Sequence, residues 1–342
     1  MGAAFGLALF AVFLWSQDLR QLGVALSTVN PAWIAPAVAV YFIGIWLRAA
    51  RWRLLMSPFA DVPTERLFRV ILIGFSVNNV LPLRLGELVR TFLLRQSHDV
   101  PIASSLATVL IERLLDVFAL CGIMTLVLLW VPLDGVVLAV AGTSATITAA
   151  GVVGLLIVLV VPRSLLERLF AFGIGLAGKI HPRLCDLASS IVNGLRVLEE
   201  PRAVLAIVPL SILCWAAELG LYYFLAISLE VNAGLLGLAA GMVIANLVTV
   251  LPSPPGYVGT FDFFLQRTLT DSFGVPEVTA GAFTLLTHAV LLVPVVVAGL
   301  VLLSWEDLSF RGLARGRVER RDADQDGSIV TPARGQPGPD SG

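Results

Sequence analysis

Apolar residues in this chain run in long unbroken blocks, without the period-two alternation of a half-buried strand or the one-sided stripe of a surface helix. Blocks covering about 31–47, 101–130, 136–161, 203–226 and 279–303 each suffice to cross a bilayer as a helix. A shorter block at 3–16 predicts a retained first helix. At about 14 residues it reaches only about 21 Å against a hydrocarbon core of about 30 Å, so it reads as partly interfacial or as the end of a longer segment. Two further blocks are interrupted. Leu67 to Leu81 stops at Pro82 and continues as LRLGELVRTFLLR, and Leu235 to Leu251 stops at Pro252 and continues as SPPGYVGTFDFFLQRTL. Both read as hydrophobic hairpins broken by Pro and Gly.

Composition narrows the class. Of 342 residues 57% are hydrophobic and 14% charged, and the mean hydropathy is +0.90. A water-soluble globule has too little polar surface to cover such a chain. The expectation is therefore an all-α polytopic membrane protein, with residues 1–305 in the membrane and a polar, disordered tail at 306–342.

Loop charge sets a topology. Arg48, Arg51, Arg53, Arg66 and Arg69 are read as one loop, Arg163 to Arg202 as a second, and Arg311 to Arg321 follow the last span. By the positive-inside rule all three are cytoplasmic, while the Lys- and Arg-free loops at Pro132–Gly135 and Ser228–Ala233 lie outside. These assignments agree only if each Pro-broken stretch enters and leaves on one side. About six transmembrane helices plus two re-entrant hairpins result, in the cell (inner) membrane, with both termini cytoplasmic.

An internal repeat fits that count. Val80-Leu81-Pro82-x-x-x-Gly86 recurs as Val250-Leu251-Pro252-x-x-x-Gly256, an offset of 170. The same offset carries span, hairpin and span of about 31–130 onto 203–303. Three intervening spans give the copies opposite orientation, an inverted repeat of the kind that places transporter sites at broken helices.

Candidate chemistry gathers at the hairpins. In the first, Asn78 and Asn79 supply amides, Pro82 and Gly86 break the helix, and Arg84, Glu87 and Arg90 bring three ionisable groups together. Guanidinium forks suit phosphate, and charges at membrane depth need a polar cavity. The plainer alternative is a helix end with charges in the headgroup region. Glu112, Arg113 and Asp116 form a second cluster, with Glu112 and Asp116 on one helix face; structural pairing with the first hairpin competes there with a direct transport role. In the second hairpin, Asn246, Pro252, Pro255, Gly256, Gly259 and Asp262 suit a substrate lining or hinge, against the reading of a plain connecting loop. Glu218 is a further buried titrating candidate, or the partner of an Arg.

Other chemistries find little. Cys121, Cys185 and Cys214 are widely spaced and read as buried thiols. His98, His181 and His288 have no metal-ligand spacing, and neither a P-loop nor a G-x-S-x-G elbow occurs. Asp322-x-Asp324-x-Asp326-Gly327 opens like a calcium loop, but Ala333 stands where such a loop has Glu. No metal, no cofactor and no nucleic-acid partner are expected.

At these residues the sequence resembles the lysylphosphatidylglycerol synthase transmembrane-region family of flippase-like proteins. The resemblance rests on NNVLPLRLGELVR from Asn78 to Arg90, on the E-R-x-x-D pattern of Glu112 to Asp116, and on the L-P-x-P-x-G-x-x-G pattern of Leu251 to Gly259. It implies a role in moving or handling membrane lipid, a phospholipid or a lipid-linked sugar. The family's second hairpin usually reads P-G-G followed by Glu; here Tyr257 replaces one Gly and Asp262 takes the acidic place. With no aminoacyl-transferase domain following, synthase activity is not carried over. A flippase-like protein is the leading expectation, with Arg84 and Arg90 on an anionic headgroup. The alternative is a non-transporting scaffold subunit for envelope lipid or glycolipid enzymes, as a homo-oligomer or with an enzyme partner.

Overall fold

The computed structural model describes residues 2–15, 18–81, 85–131, 135–160, 189–190, 201–249 and 254–305. Pro82, Arg84, Pro252 and the 306–342 tail lie outside them. Every regular element among the described residues is helical. In chain order these are α1 (Gly2–Trp15), α2 (Leu19–Ser27), α3 (Ile34–Met56), α4 (Thr64–Val80), α5 (Gly86–His98), α6 (Ile102–Trp130) and α7 (Gly135–Val160). After the second run of Arg come α8 (Pro201–Ser228), α9 (Gly234–Val248), a short turn at Pro255–Tyr257, α10 (Thr260–Arg267) and α11 (Glu277–Trp305).

Helix starts follow local chemistry. Asp18 caps α2 by accepting from the amides of Arg20 and Gln21, and the Gln21 amide in particular holds its carboxyl below the usual carboxylate range. Pro63 and Pro101 stand immediately before α4 and α6, and α8 begins at Pro201, where a missing amide donor costs nothing. Pro209 and Pro294 lie inside α8 and α11, as membrane helices tolerate.

Among the described residues, four segments are long and apolar enough to cross a membrane: Pro31–Met56, Ile102–Trp130, Ala203–Ser228 and Glu277–Trp305. α7, at 26 residues, is of comparable length. Leu126, Leu129, Leu205, Ile212 and Val297 lie on exposed faces of these helices, where acyl chains replace water as the contacting medium. Trp15, Trp130 and Trp305 stand exposed at helix C-termini, the position of interfacial anchors.

α3 and α8 form the most extensive helix pair, and α4 folds back on α5 as α9 does on α10. Each Pro-broken stretch is thus two helices packed together. The α4–α5 crossing is backbone-close at Gly86, where an added Cβ would stand 1.9 Å from the Gly74 carbonyl oxygen. Asn78 Oδ1 accepts from the Gly86 amide at 2.7 Å across the break. The order long helix, two shorter helices, long helix occurs in 34–130 and again in 201–305.

Two sequence expectations need correction. Arg48, Arg51 and Arg53 are not in a loop: α3 continues to Met56, and Arg48 and Arg51 are buried within it. Arg66 and Arg69 lie in the first turns of α4, so the connecting loop is only Ser57–Pro63. Buried carboxylates elsewhere in the fold make the interior arginines tolerable. α2 was also absent from the apolar pattern, because its periodicity is amphipathic.

Candidate functional site

α3 and α6 carry a buried ionic network. Arg48 and Arg51 are three apart on α3 and face Glu112 and Asp116, four apart on α6, so each helix presents its charges on one face. Arg51 Nη2 lies 2.8 Å from Asp116 Oδ1 and 3.7 Å from Glu112 Oε1, and its Nη1 donates to Ser211 Oγ of α8 at 3.1 Å. Arg48 reaches Glu218 of α8 at 2.9 Å and Asp116 at 3.5 Å, with its guanidinium 4.5 Å from the Trp215 ring centroid. Arg90 of α5 meets Glu112 at 2.8 Å and lies over the Trp52 ring at 4.0 Å. Arg113 closes the cluster, 3.3 Å from Glu112, 3.6 Å from Asp116 and 3.9 Å from Glu87.

Formal charges in this cluster cancel, Arg48, Arg51, Arg90 and Arg113 against Glu87, Glu112, Asp116 and Glu218. That balance matters physically. A lone charge in such an interior is prohibitively desolvated, whereas a neutral, mutually bonded set is tolerable. The side chains of Arg51 and Glu112 are fully buried, while those of Arg113 and Glu87 are 35% and 30% exposed. The network therefore has a sealed centre and an open edge.

At that edge lies a cavity of about 190 Å³. Arg48, Glu87, Arg113 and Glu218 reach it from the network, and Asn78, Asn79 and Asn246 bring amides from the two hairpins. Asn246 Nδ2 donates to Glu218 Oε1 at 2.7 Å, tying α9 to α8. Tyr41, Trp215, Tyr257, Phe261 and His288 supply an aromatic wall, and Leu291 and Leu292 an apolar one. Polar groups from α3, α4, α5, α6, α8, α9 and α11 thus converge on one space.

The candidate residues separate by position. Asn78, Asn79, Glu87, Arg113, Asn246 and Gly256 line the cavity. Arg90, Glu112 and Asp116 sit behind it in the network, and Glu112 pairs with Arg90 of the first hairpin as the charge pattern suggested. Asp262 is buried in the first turn of α10, where it accepts from the Gly259 amide at 2.8 Å. Gly86 and Gly259 are packing points, Gly259 with φ +86 and an added Cβ 1.9 Å from the Gly6 carbonyl. Pro255 is exposed in the turn that Gly256 shares. Arg48, Arg51 and His288 were missed by sequence reasoning. The three-residue spacing of Arg48 and Arg51 on a continuing helix was the available signal for the first two; His288 gave none.

Sequence relationships agree with this arrangement. The lysylphosphatidylglycerol synthase transmembrane region matches residues 3–299. The chain belongs to that family. The chain is similar to a UPF0104 membrane protein of Methanothermobacter thermautotrophicus, 26% identical over 75% of this chain and 81% of the relative. A UPF0104 membrane protein of Methanocaldococcus jannaschii is 21% identical over 80% of this chain and 84% of its own. Glycosyltransferase AglD of Haloferax volcanii is 24% identical over 94% of this chain but only 56% of that protein's length. No solved structure matches. As a lysylphosphatidylglycerol synthase transmembrane-region protein, the chain is an integral multi-pass membrane protein.

Proposed function

We propose that this protein moves the headgroup of an anionic, aminoacylated or polyprenyl-linked lipid through the cavity between its two hairpins, while the acyl or prenyl chain stays in the bilayer. The observation that carries the reading is a charge-balanced polar cavity lined in part by membrane-length helices. Such a site lowers the cost of drawing a polar group across hydrocarbon, and a lone structural ion pair would have no need of an adjoining cavity. Arg48 and Arg113 attract a phosphate, Glu87 and Glu218 a cationic or hydroxyl-bearing substituent, and the three Asn amides serve either. Arg84 adds a further cation to the first hairpin.

The recurrence of element order supports an inverted repeat of about 31–130 and 203–303, giving six spans and two re-entrant hairpins. Arg48 and Glu218, 170 residues apart, touch one another at 2.9 Å. Residues equivalent by a two-fold operation meet only near its axis, so α3 and α8 cross at the centre of the arrangement. Alternating access then amounts to rocking of one half against the other about that crossing. We place the protein in the cell membrane with both termini cytoplasmic.

Similarity to a protein named as a glycosyltransferase favours a second reading, an accessory subunit in glycolipid synthesis without transport of its own. Reconstitution separates the two. Purified protein in liposomes holding, in turn, a labelled anionic phospholipid, an aminoacylated phospholipid and a polyprenyl-phosphate sugar speeds transbilayer exchange of at least one by roughly tenfold or more over protein-free vesicles. No acceleration with all three rejects transport and leaves the accessory reading.

A further inference from the structure

A second polar cluster stands on the cavity wall away from the ionic network. His288, in α11, directs its two ring nitrogens at two different elements. Nδ1 is 2.7 Å from Asp262 Oδ1 in the first turn of α10, and Nε2 is 2.7 Å from the Gly256 carbonyl oxygen in the preceding turn. A peptide carbonyl only accepts, so Nε2 carries a proton. Asp262 already accepts from the Gly259 amide through Oδ2, and the short Nδ1 to Oδ1 contact requires a proton between those atoms. The pair therefore holds two protons, one on Nε2 and one shared between Nδ1 and Asp262 Oδ1.

Loss of one of them leaves no equally good arrangement. With Nε2 protonated, the Nδ1 lone pair faces a carboxylate; with Nδ1 protonated, the Nε2 lone pair faces the Gly256 oxygen. The contact with the charged carboxylate is the stronger of the two, so the bond to Gly256 is the one surrendered. That bond secures a turn under backbone strain. Gly256 and Gly259 have φ of +67 and +86, and Tyr257, a bulky residue, has φ +59. His288, Gly256 and Tyr257 all face the cavity, and the Phe261 ring lies 4.7 Å from the imidazole.

We propose that the His288–Asp262 pair is a proton-binding site that latches the 254–259 turn to α11, so that release of one proton to water in the cavity frees this wall to move. The remaining titratable or charged groups on the cavity are Tyr41 and Arg48 of α3, Glu87 of α5, Arg113 of α6, Glu218 of α8 and Tyr257 of the turn, and Tyr222 of α8 stacks edge-on against Phe283 of α11. Asp262 is the group hydrogen-bonded to Nδ1. A proton bound here changes both the charge of the wall and the freedom of Tyr257. The latch gives the cavity a dependence on proton concentration, which goes beyond lipid movement and stands without it.

Amide hydrogen exchange of the full-length protein in detergent tests the latch with no reliance on transport. Rates are divided by the intrinsic, pH-dependent rate, with a peptide from the middle of α3 as reference. In the wild type, the corrected exchange of the peptide spanning 254–263 rises roughly tenfold between about pH 5.5 and about pH 8.5, across the range in which an imidazole titrates. His288→Gln, whose amide donates to Gly256 at any pH, abolishes that dependence. His288→Ala exchanges fast at both pH values. A corrected wild-type rate that is the same at both pH values, or a His288→Gln protein that keeps the wild-type dependence, overturns the proposal. The wild type and the Gln variant decide the matter even if the Ala variant fails to fold.

Discussion

Individual charges at the centre of this fold are held by one another. Glu112 faces Arg51, Arg90 and Arg113, so Glu112→Gln leaves three guanidinium groups short of a counter-charge in a sealed interior. Removing one partner of such a set costs about 3–5 kcal/mol. The expected result is a marked fall in the thermal unfolding midpoint in detergent. Arg53→Ala, at the exposed pair with Asp61, changes stability by less than about 1 kcal/mol. Equal midpoints for the two variants contradict the network. Much of this scale was legible in advance: Glu112 and Asp116 share a face, and a carboxylate pair in an apolar helix calls for cations. Their main partners were not legible, because Arg48 and Arg51 carry the letters of a cytoplasmic loop and only the continuation of α3 to Met56 brings them inside. His288 was opaque for a different reason. Its partners come from 26 and 32 residues earlier in the chain, and a turn brings them to it.

The hairpins show how Pro and Gly organise elements here. The interruptions at Pro82 and Pro252 correctly marked two helix pairs, yet the helix-to-helix distance is set by glycine. Gly86→Ala places a methyl against the Gly74 carbonyl and the Asn78 side chain, a backbone clash that no rotamer relieves. A loss of about 2–3 kcal/mol follows, read as a lower unfolding midpoint and poorer recovery of monodisperse protein. Gly23→Ala in α2 meets nothing within 4 Å and raises stability by about 0.5–1 kcal/mol. Should Gly86→Ala behave like Gly23→Ala, the close crossing is wrong. α2 itself shows where hydropathy fails: an amphipathic helix of nine residues leaves no apolar block, and only Asp18 as an N-cap announces it.

For the whole molecule, composition alone set the class, since a chain this apolar has no aqueous way to fold, and the long blocks became the long helices α6, α7, α8 and α11 with boundaries close to those the pattern gave, while α3 runs on past its block to Met56. The cavity was not readable in this way, because it is assembled from eight helices and the turn before α10, and no local signal encodes their convergence. Its central claim is that polar lipid headgroups pass through this one space. The most direct test is transbilayer exchange of labelled lipid in liposomes holding Asn79→Phe, which fills the cavity from α4 while leaving every residue of the ionic network unsubstituted, beside wild-type protein at equal density. Exchange reduced roughly tenfold or more in the variant, with an unchanged unfolding midpoint, is the predicted result. Exchange by Asn79→Phe at the wild-type rate contradicts the account, since lipid would then be travelling by another route.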